Sequence, residues 1–306
     1  MTQLSAQREL KRRNMGRQNL GLALFLLPAL IFYGVFKYFP IIYSGVLSFA
    51  KWNFIKDISW VGFSNYTSMF SKSMFVMGLG NTFRYIVAFL PFFVVIPLLL
   101  ATLILNVRSR GLQSAFKAFL FIPTVLAMSI CCMVWLWIYS PSFGFLNRLL
   151  TSLGFESISW LSDKKYAFGA VVAVCGWKFM GQNMILFMAG LLNVPEQCVE
   201  AARIDGANEW QTFWRVRFPL IMPTTVYIVI TAVIFAAERA FTAIHILTTG
   251  GPSYSTTNLA YVIYEFAFKS YNIGMASAIA VFTSALYLVL TIIMMKVLGG
   301  FEYNER

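Results

Sequence analysis

Two groups of residues in this chain have types and spacing that could do chemistry. The first is Glu238-Arg239, a charged pair inside a long apolar stretch, with Lys178 and the single histidine, His245, in or beside apolar stretches of their own. Charge in a hydrocarbon setting is costly and defaults to a functional reading. A proton carrier, a solute contact and an interhelical ion pair are the alternatives. The second group is a polar insert, Glu200-Ala201-Ala202-Arg203-Ile204-Asp205-Gly206-Ala207, followed by Pro219 and Pro223. No catalytic residue is expected in it. A small-sided helix can enter a partner's groove, with Glu200 and Asp205 reading that partner's polar groups. One histidine rules out His-paired metal motifs, and no metal site is expected. No Gly-x4-Gly-Lys-Ser/Thr run occurs, so a phosphate-cradling loop is missing. Energy for any work must come from another polypeptide.

The elements that position these residues follow from composition. The chain is 306 residues long, 59% hydrophobic and only 12% charged, which does not fit a soluble domain. Apolar runs near 20–39, 80–105, 116–139, 166–191, 222–246 and 274–298 have the length of membrane-crossing helices. Their apolar character is continuous, not alternating, which selects helices over a barrel. The expected fold is all-α, a polytopic membrane protein with six transmembrane helices and one cytoplasmic loop at 192–221. The expected divisions are a cytoplasmic segment 1–19, a first helix and outward loop over 20–79, a core domain 80–298, and a tail 299–306.

The net charge of +12 is scattered, which argues against a nucleic-acid partner. Arg8, Lys11, Arg12, Arg13 and Arg17 precede the first span. Arg108, Arg110 and Lys117 follow the second, and Arg203, Arg215 and Arg217 lie in the 192–221 loop. Excess Lys and Arg mark the cytoplasmic side, so both termini and this loop are assigned there. The first apolar run outlasts a signal-peptide core and lacks a small-x-small cleavage site. Cys131, Cys132, Cys175 and Cys198 imply no disulfide framework. Aromatic residues over 40–78, among them Trp52, Phe54, Trp60 and Phe63, read as an interfacial belt. Pro28, Pro91, Pro97 and Pro123 allow kinks. Gly274/Ala278 and Ala276/Ala280 have the small-xxx-small spacing of a closely packed helix face.

Within the insert, Pro195 and Glu196 suit the first turn of a helix over 195–204. Glu200 and Arg203 are spaced for an i,i+3 ion pair. Asp205-Gly206 stops the helix. Asn208 is an N-cap for a second helix, on which Trp210, Phe213, Trp214 and Phe218 share one face; an amphipathic helix lying along the interface with no partner is the alternative to docking. Higher up, Glu238 lies about 15 residues past Pro223, hence about 22 Å along its helix at 1.5 Å per residue. Lys178 and Arg84 are its alternative ion-pair partners from other spans. Trp177, Gln182, Asn183, Tyr227 and Tyr261 offer the aromatic faces and planar polar groups that suit a sugar; core packing is the competing account of the aromatics.

The run Glu200-Ala201-Ala202, Asp205-Gly206-Ala207, with Pro219 and Pro223, resembles the cytoplasmic "EAA" loop of permease subunits of binding-protein-dependent ATP-binding-cassette importers. The resemblance implies that Glu200, Ala201, Ala202, Asp205, Gly206 and Ala207 form a coupling helix seated in an ATPase subunit. Ile246 through Thr256, with Gly250-Gly251-Pro252 as a turn, and then Tyr261 through Phe268, resembles the segment between spans five and six of carbohydrate importers of the maltose and glycerol-phosphate type. There Thr256 or Thr257 is expected to cap a surface helix ending about Phe268. A departure falls at Thr242, where many relatives place an aspartate.

The function implied is a non-catalytic permease in a bacterial cytoplasmic membrane that moves a carbohydrate by alternating access. The implied partners are a second permease, two ATPase subunits holding ATP and magnesium, and an extracellular or periplasmic sugar-binding protein, besides membrane lipid. Glu238, Arg239, Lys178, Trp177, Gln182, Asn183 and Tyr227 are candidates for the solute path. The alternative is a proton-coupled secondary transporter using Glu238.

Overall fold

Long apolar runs fold as helices here because a hydrocarbon surrounding leaves each backbone group to find its partner within its own segment. The computed structural model describes residues 25–55 and 57–298. The segment 1–19, the start of the first span at 20–24 and the tail 299–306 fall outside the described residues. Among the described residues the regular elements are helices apart from one antiparallel hairpin of two-residue strands. In order the elements are α1 (Phe25–Leu47), β1 (Ala50–Lys51), β2 (Ser59–Trp60), α2 (Ser64–Met69), α3 (Ser73–Leu105), α4 (Arg110–Val125), α5 (Met128–Ile138) and α6 (Phe145–Ser152). There follow α7 (Ala167–Leu192), α8 (Glu196–Ile204), α9 (Glu209–Leu220), α10 (Met222–Ala243), α11 (Leu259–Tyr264) and α12 (Ile273–Leu298).

Four of these, α1, α3, α7 and α12, are each long and apolar enough to cross a membrane. Two further crossings are bent pairs, α4 with α5 at 101° and α9 with the first part of α10 at 68°, which brings the number to six if each pair counts as one span. The run at 116–139 is therefore not one straight helix. Leu126 and Ala127 are extended, with ψ of 147° and 143°, just after Pro123. Boundaries also move. The first span continues to Leu47 instead of ending at 39, and α3 begins at Ser73 instead of 80, so the 40–78 loop is shorter than expected. Pro40 is tolerated because it follows a π-wound turn, Gly34–Tyr38, whose wider hydrogen-bond ladder already departs from the regular one.

The hub is α7. Its most apolar window is 61% buried, against 28% for α3 and 17% for α12. Hydrophobic transfer contributes little between helices that already sit in lipid, so close packing must hold them. Small residues supply it. A Cβ at Gly181 would overlap the carbonyl of Leu120, and one at Gly176 would overlap the ring of Phe92. In α12 a Cβ at Gly274 would overlap the carbonyl of Ala50, and Ala276 and Ala278 are buried beside it. The small-xxx-small face is thus a contact face. Cys131, Cys132 and Cys175 are buried free thiols and Cys198 is exposed.

Candidate functional site: the 195–220 insert and a cavity between helices

Local chemistry builds the 195–220 insert. Pro195 adopts φ −59°, ψ 125° and starts α8, with Glu196 in its first turn. The helix closes on Asp205-Gly206. Gly206 has φ +81°, its N–H donates to Arg203 O at 3.0 Å, and Ala207 N–H donates to Ala202 O at 3.0 Å. That is the Schellman pattern, which only a left-handed residue completes. Asn208 then opens α9 through a reciprocal capping box. Its Oδ1 accepts from Gln211 N–H at 2.8 Å, and Gln211 Oε1 accepts from Asn208 N–H at 3.0 Å.

The expected Glu200–Arg203 pair is not the one formed. Because the Schellman turn reverses the chain, α9 brings Glu209 to Arg203, whose Nη2 and Nε lie 2.8 and 3.1 Å from Glu209 Oε1. Arg217 Nη2 lies 4.0 Å from Glu209 Oε2. Val199 is buried beneath α8, whereas Glu200, Ala201, Asp205 and Gly206 are exposed and Ala202 and Ala207 are half-buried. Ile204 is 85% exposed, an apolar side chain presented to whatever meets this face. Trp210, Trp214, Phe213 and Phe218 form a run of ring contacts with centroids 4.9–6.4 Å apart, and the two phenylalanines pack onto the core beneath.

Within the membrane domain, Gln182, Asn183, Tyr227 and Arg239 come together around a cavity of about 30 Å³, with Phe93, Leu186, Thr231 and Ala232. Asn183 is there for a backbone reason. Pro97 has no N–H, so the carbonyl of Phe93 four residues earlier lacks its helical partner. Asn183 Nδ2 donates to it at 3.0 Å. Arg239 lies over the Phe179 ring, 4.3 Å from the centroid.

The remaining path candidates sit elsewhere. Trp177 packs edge-on against Trp135. Lys178 is buried, and its Nζ donates to the carbonyls of Pro123, Thr124 and Leu126, those released by the break between α4 and α5. Glu238 is exposed on this chain. Among the described residues no ion pair joins it to Lys178 or Arg84. Arg84 instead donates to Asn81 Oδ1 at 3.1 Å and lies over the Phe168 ring. Both expected pairings thus give way to partners nearer each cation.

The segment after α10 also differs from expectation. Asn258, not Thr256 or Thr257, caps α11, its Oδ1 accepting from Tyr261 N–H at 2.9 Å. The two threonine hydroxyls are spent closing the turn, on Gly251 O and Gly250 O, both at 2.9 Å. The start of α11 is buried instead of lying on a surface. Asn81 Nδ2 donates to Tyr254 O and Thr257 O at 2.9 and 3.0 Å, and Tyr85 Oη to Thr256 O at 2.9 Å. Sequence reading missed Asn81 and Tyr85. A buried amide and phenol in an apolar run are the signal that was there to find.

A helical membrane domain carrying this insert matches a known family. Residues 58–298 fit the sequence profile described as the inner membrane component of binding-protein-dependent transport systems. The chain belongs to that family. A multiple sugar-binding transport system permease protein of Streptococcus mutans is 32% identical over 279 residues, covering 91% of this chain and 95% of that protein. A probable ABC transporter permease of Pyrococcus horikoshii is 32% identical over 286 residues, covering 92% and 96%. Among solved structures, a bacterial ABC transporter involved in the import of the acidic polysaccharide alginate has a chain that matches with TM-score 0.85 at 24% identity, over 96% of this chain and all of that one. It shares the fold of this family member. Both sequence relatives are transport permeases, and neither supports a proton carrier built on Glu238.

Proposed function

We propose that this chain is the permease subunit of an ATP-driven carbohydrate importer in a bacterial cytoplasmic membrane, with α8 as its coupling helix. One observation carries the reading: Glu200, Ala201, Asp205 and Gly206 form an exposed surface with little side-chain bulk on a helix whose C-terminus is fixed by a Schellman turn. The sugar permease among its relatives supports the cargo class.

The geometry offers a lever. A partner pressing α8 moves α9 with it, because the Schellman turn and the Arg203–Glu209 pair tie the two helices together. From α9 the motion passes through the 68° elbow into α10, which carries Tyr227 and Arg239 of the cavity. In this reading a partner ATPase dimer holds ATP and magnesium and supplies the push. A second permease completes the path, a soluble sugar-binding protein delivers the solute, and both termini face the cytoplasm. This chain moves solute without catalysing a reaction. Glu200→Lys, reconstituted with partner subunits, tests it. Lost ATP-driven uptake from a well-folded complex is the expected result; undiminished uptake would refute the assignment of α8.

A further inference from the structure

A cavity of about 620 Å³ lies beneath α8, between α8, α9 and the ends of α3 and α7. That is about twenty times the ~30 Å³ share of one water in the liquid and falls in the range of small-ligand pockets. Its walls divide by chemistry. Leu105, Leu191 and Leu192 line one part, where two membrane-crossing helices end. Arg203, Arg217 and Glu196 line another. Leu192 is 68% exposed. An apolar wall at the end of two spans, next to charged groups, matches the boundary between acyl chain and headgroup.

Helical spacing separates this cavity from the coupling surface. Glu196, Val199 and Arg203 follow i, i+3, i+7 and line the cavity, whereas Ala201 lies on the opposite side of α8 and the exposed Glu200 and Ile204 lie on the flank between. An ATPase seated on the exposed side leaves the cavity to another occupant.

Charge balance selects the occupant. Arg203 and Arg217 share one carboxylate, Glu209, at 2.8 and 4.0 Å, which leaves guanidinium N–H groups for a further acceptor. With Glu196 added, two cations face two carboxylates and the local charge is zero. A purely anionic headgroup would have to sit against Glu196 uncompensated. A phosphate joined to a primary ammonium satisfies both signs: guanidinium forks suit phosphate oxygens, and the ammonium N–H groups suit Glu196. We infer that the cavity beneath α8 holds an aminophospholipid of the phosphatidylethanolamine type, with its phosphate on Arg203 and Arg217, its ammonium on Glu196 and acyl carbons on the leucines. The lipid would then support the coupling helix from the membrane side.

The test is native mass spectrometry of the delipidated full chain, offered equal amounts of phosphatidylethanolamine, phosphatidylcholine and phosphatidylglycerol. The wild type is expected to retain phosphatidylethanolamine preferentially. Arg217→Gln is expected to reduce that retention about tenfold, the scale of one lost charge-assisted contact. Glu196→Gln is expected to abolish the preference over phosphatidylcholine, whose quaternary ammonium cannot donate, while phosphate-dependent binding persists. Arg215→Gln, outside the cavity, is expected to change nothing and serves as the folding control. Equal retention of the three lipids, preference for phosphatidylglycerol, or retention unaffected by Arg217→Gln would overturn the inference. Displacement by millimolar inorganic phosphate would overturn it also, since the occupant would then need no acyl chain. The readout is binding, so its failure is separable from failure of the importer reading.

Discussion

Lys178 and Thr124 hold each other across the break in the third span. Lys178 Nζ donates to Thr124 O at 3.2 Å, and Thr124 Oγ1 donates back to Lys178 O at 2.9 Å. The same ammonium also reaches Pro123 O and Leu126 O. Breaking a helix inside a membrane frees carbonyls that lipid cannot satisfy. A buried cation with three donors is the group that can collect them. Lys178 therefore explains the 101° bend between α4 and α5.

Lys178→Met removes the donor and keeps the packing volume. Each carbonyl left unpaired costs about 1–3 kcal/mol. The expected outcome is a marked drop in thermal stability of the purified protein, followed by size-exclusion after heating. A transport defect with unchanged stability would place Lys178 in the solute path instead.

Asn81→Leu unclamps the segment after α10 by freeing Tyr254 O and Thr257 O. A loss of about 1–3 kcal/mol is expected, the cost of stranding buried acceptors. Faster amide exchange and proteolysis should be confined to residues 250–258 and the start of α11. Uniform exchange rates would show that Asn81 does not hold this segment.

Gly206→Ala meets no steric obstacle, since open space surrounds a Cβ there, but it forces alanine to φ +81°. The expected cost is about 1 kcal/mol, felt as fraying of the α8 terminus. Hydrogen exchange over 202–208 reads it. Gly206→Asp should strain the backbone less, because aspartate tolerates the left-handed region, yet should impair transport more by placing charge on the proposed docking surface. The two variants together separate fold from coupling.

Arg203→Ala and Glu209→Ala should each lower stability only slightly, and their double-mutant coupling should be about 0.2–1 kcal/mol, because both side chains are more than half exposed. Thermal unfolding of the four proteins measures it. A coupling that stays constant in high salt would point to a less screened pair than the geometry shows.

The insert was legible in sequence because its structure is local. Pro195-Glu196, Asp205-Gly206 and Asn208 start and stop helices by capping within a few residues. Of the six apolar runs, four are single long helices and two are bent helix pairs. Pro123 marked a kink in this span, but the size of the break at Leu126-Ala127 was not legible, because the apolar run continues through it and the donor that stabilises it is Lys178, more than fifty positions away. Glu200–Arg203 failed for the same kind of reason: a turn brought a better-placed carboxylate from the next helix. In the 250–258 segment the threonines were claimed by turn carbonyls, which left the cap to Asn258. Of the solute-path candidates, Gln182, Asn183, Tyr227 and Arg239 share a cavity. The grouping depends on how α7 and α10 pack, which helical periodicity alone does not specify.

The most direct test of the central claim uses Glu200→Lys in the complete complex, reconstituted in proteoliposomes with its soluble binding protein. The expected results are correct insertion and assembly, loss of ATP-driven solute uptake, loss of binding-protein-stimulated ATP hydrolysis, and wild-type uptake indifferent to a proton uncoupler. Wild-type rates of coupled uptake in Glu200→Lys, or wild-type uptake that collapses with the proton gradient and persists without ATP, would contradict it.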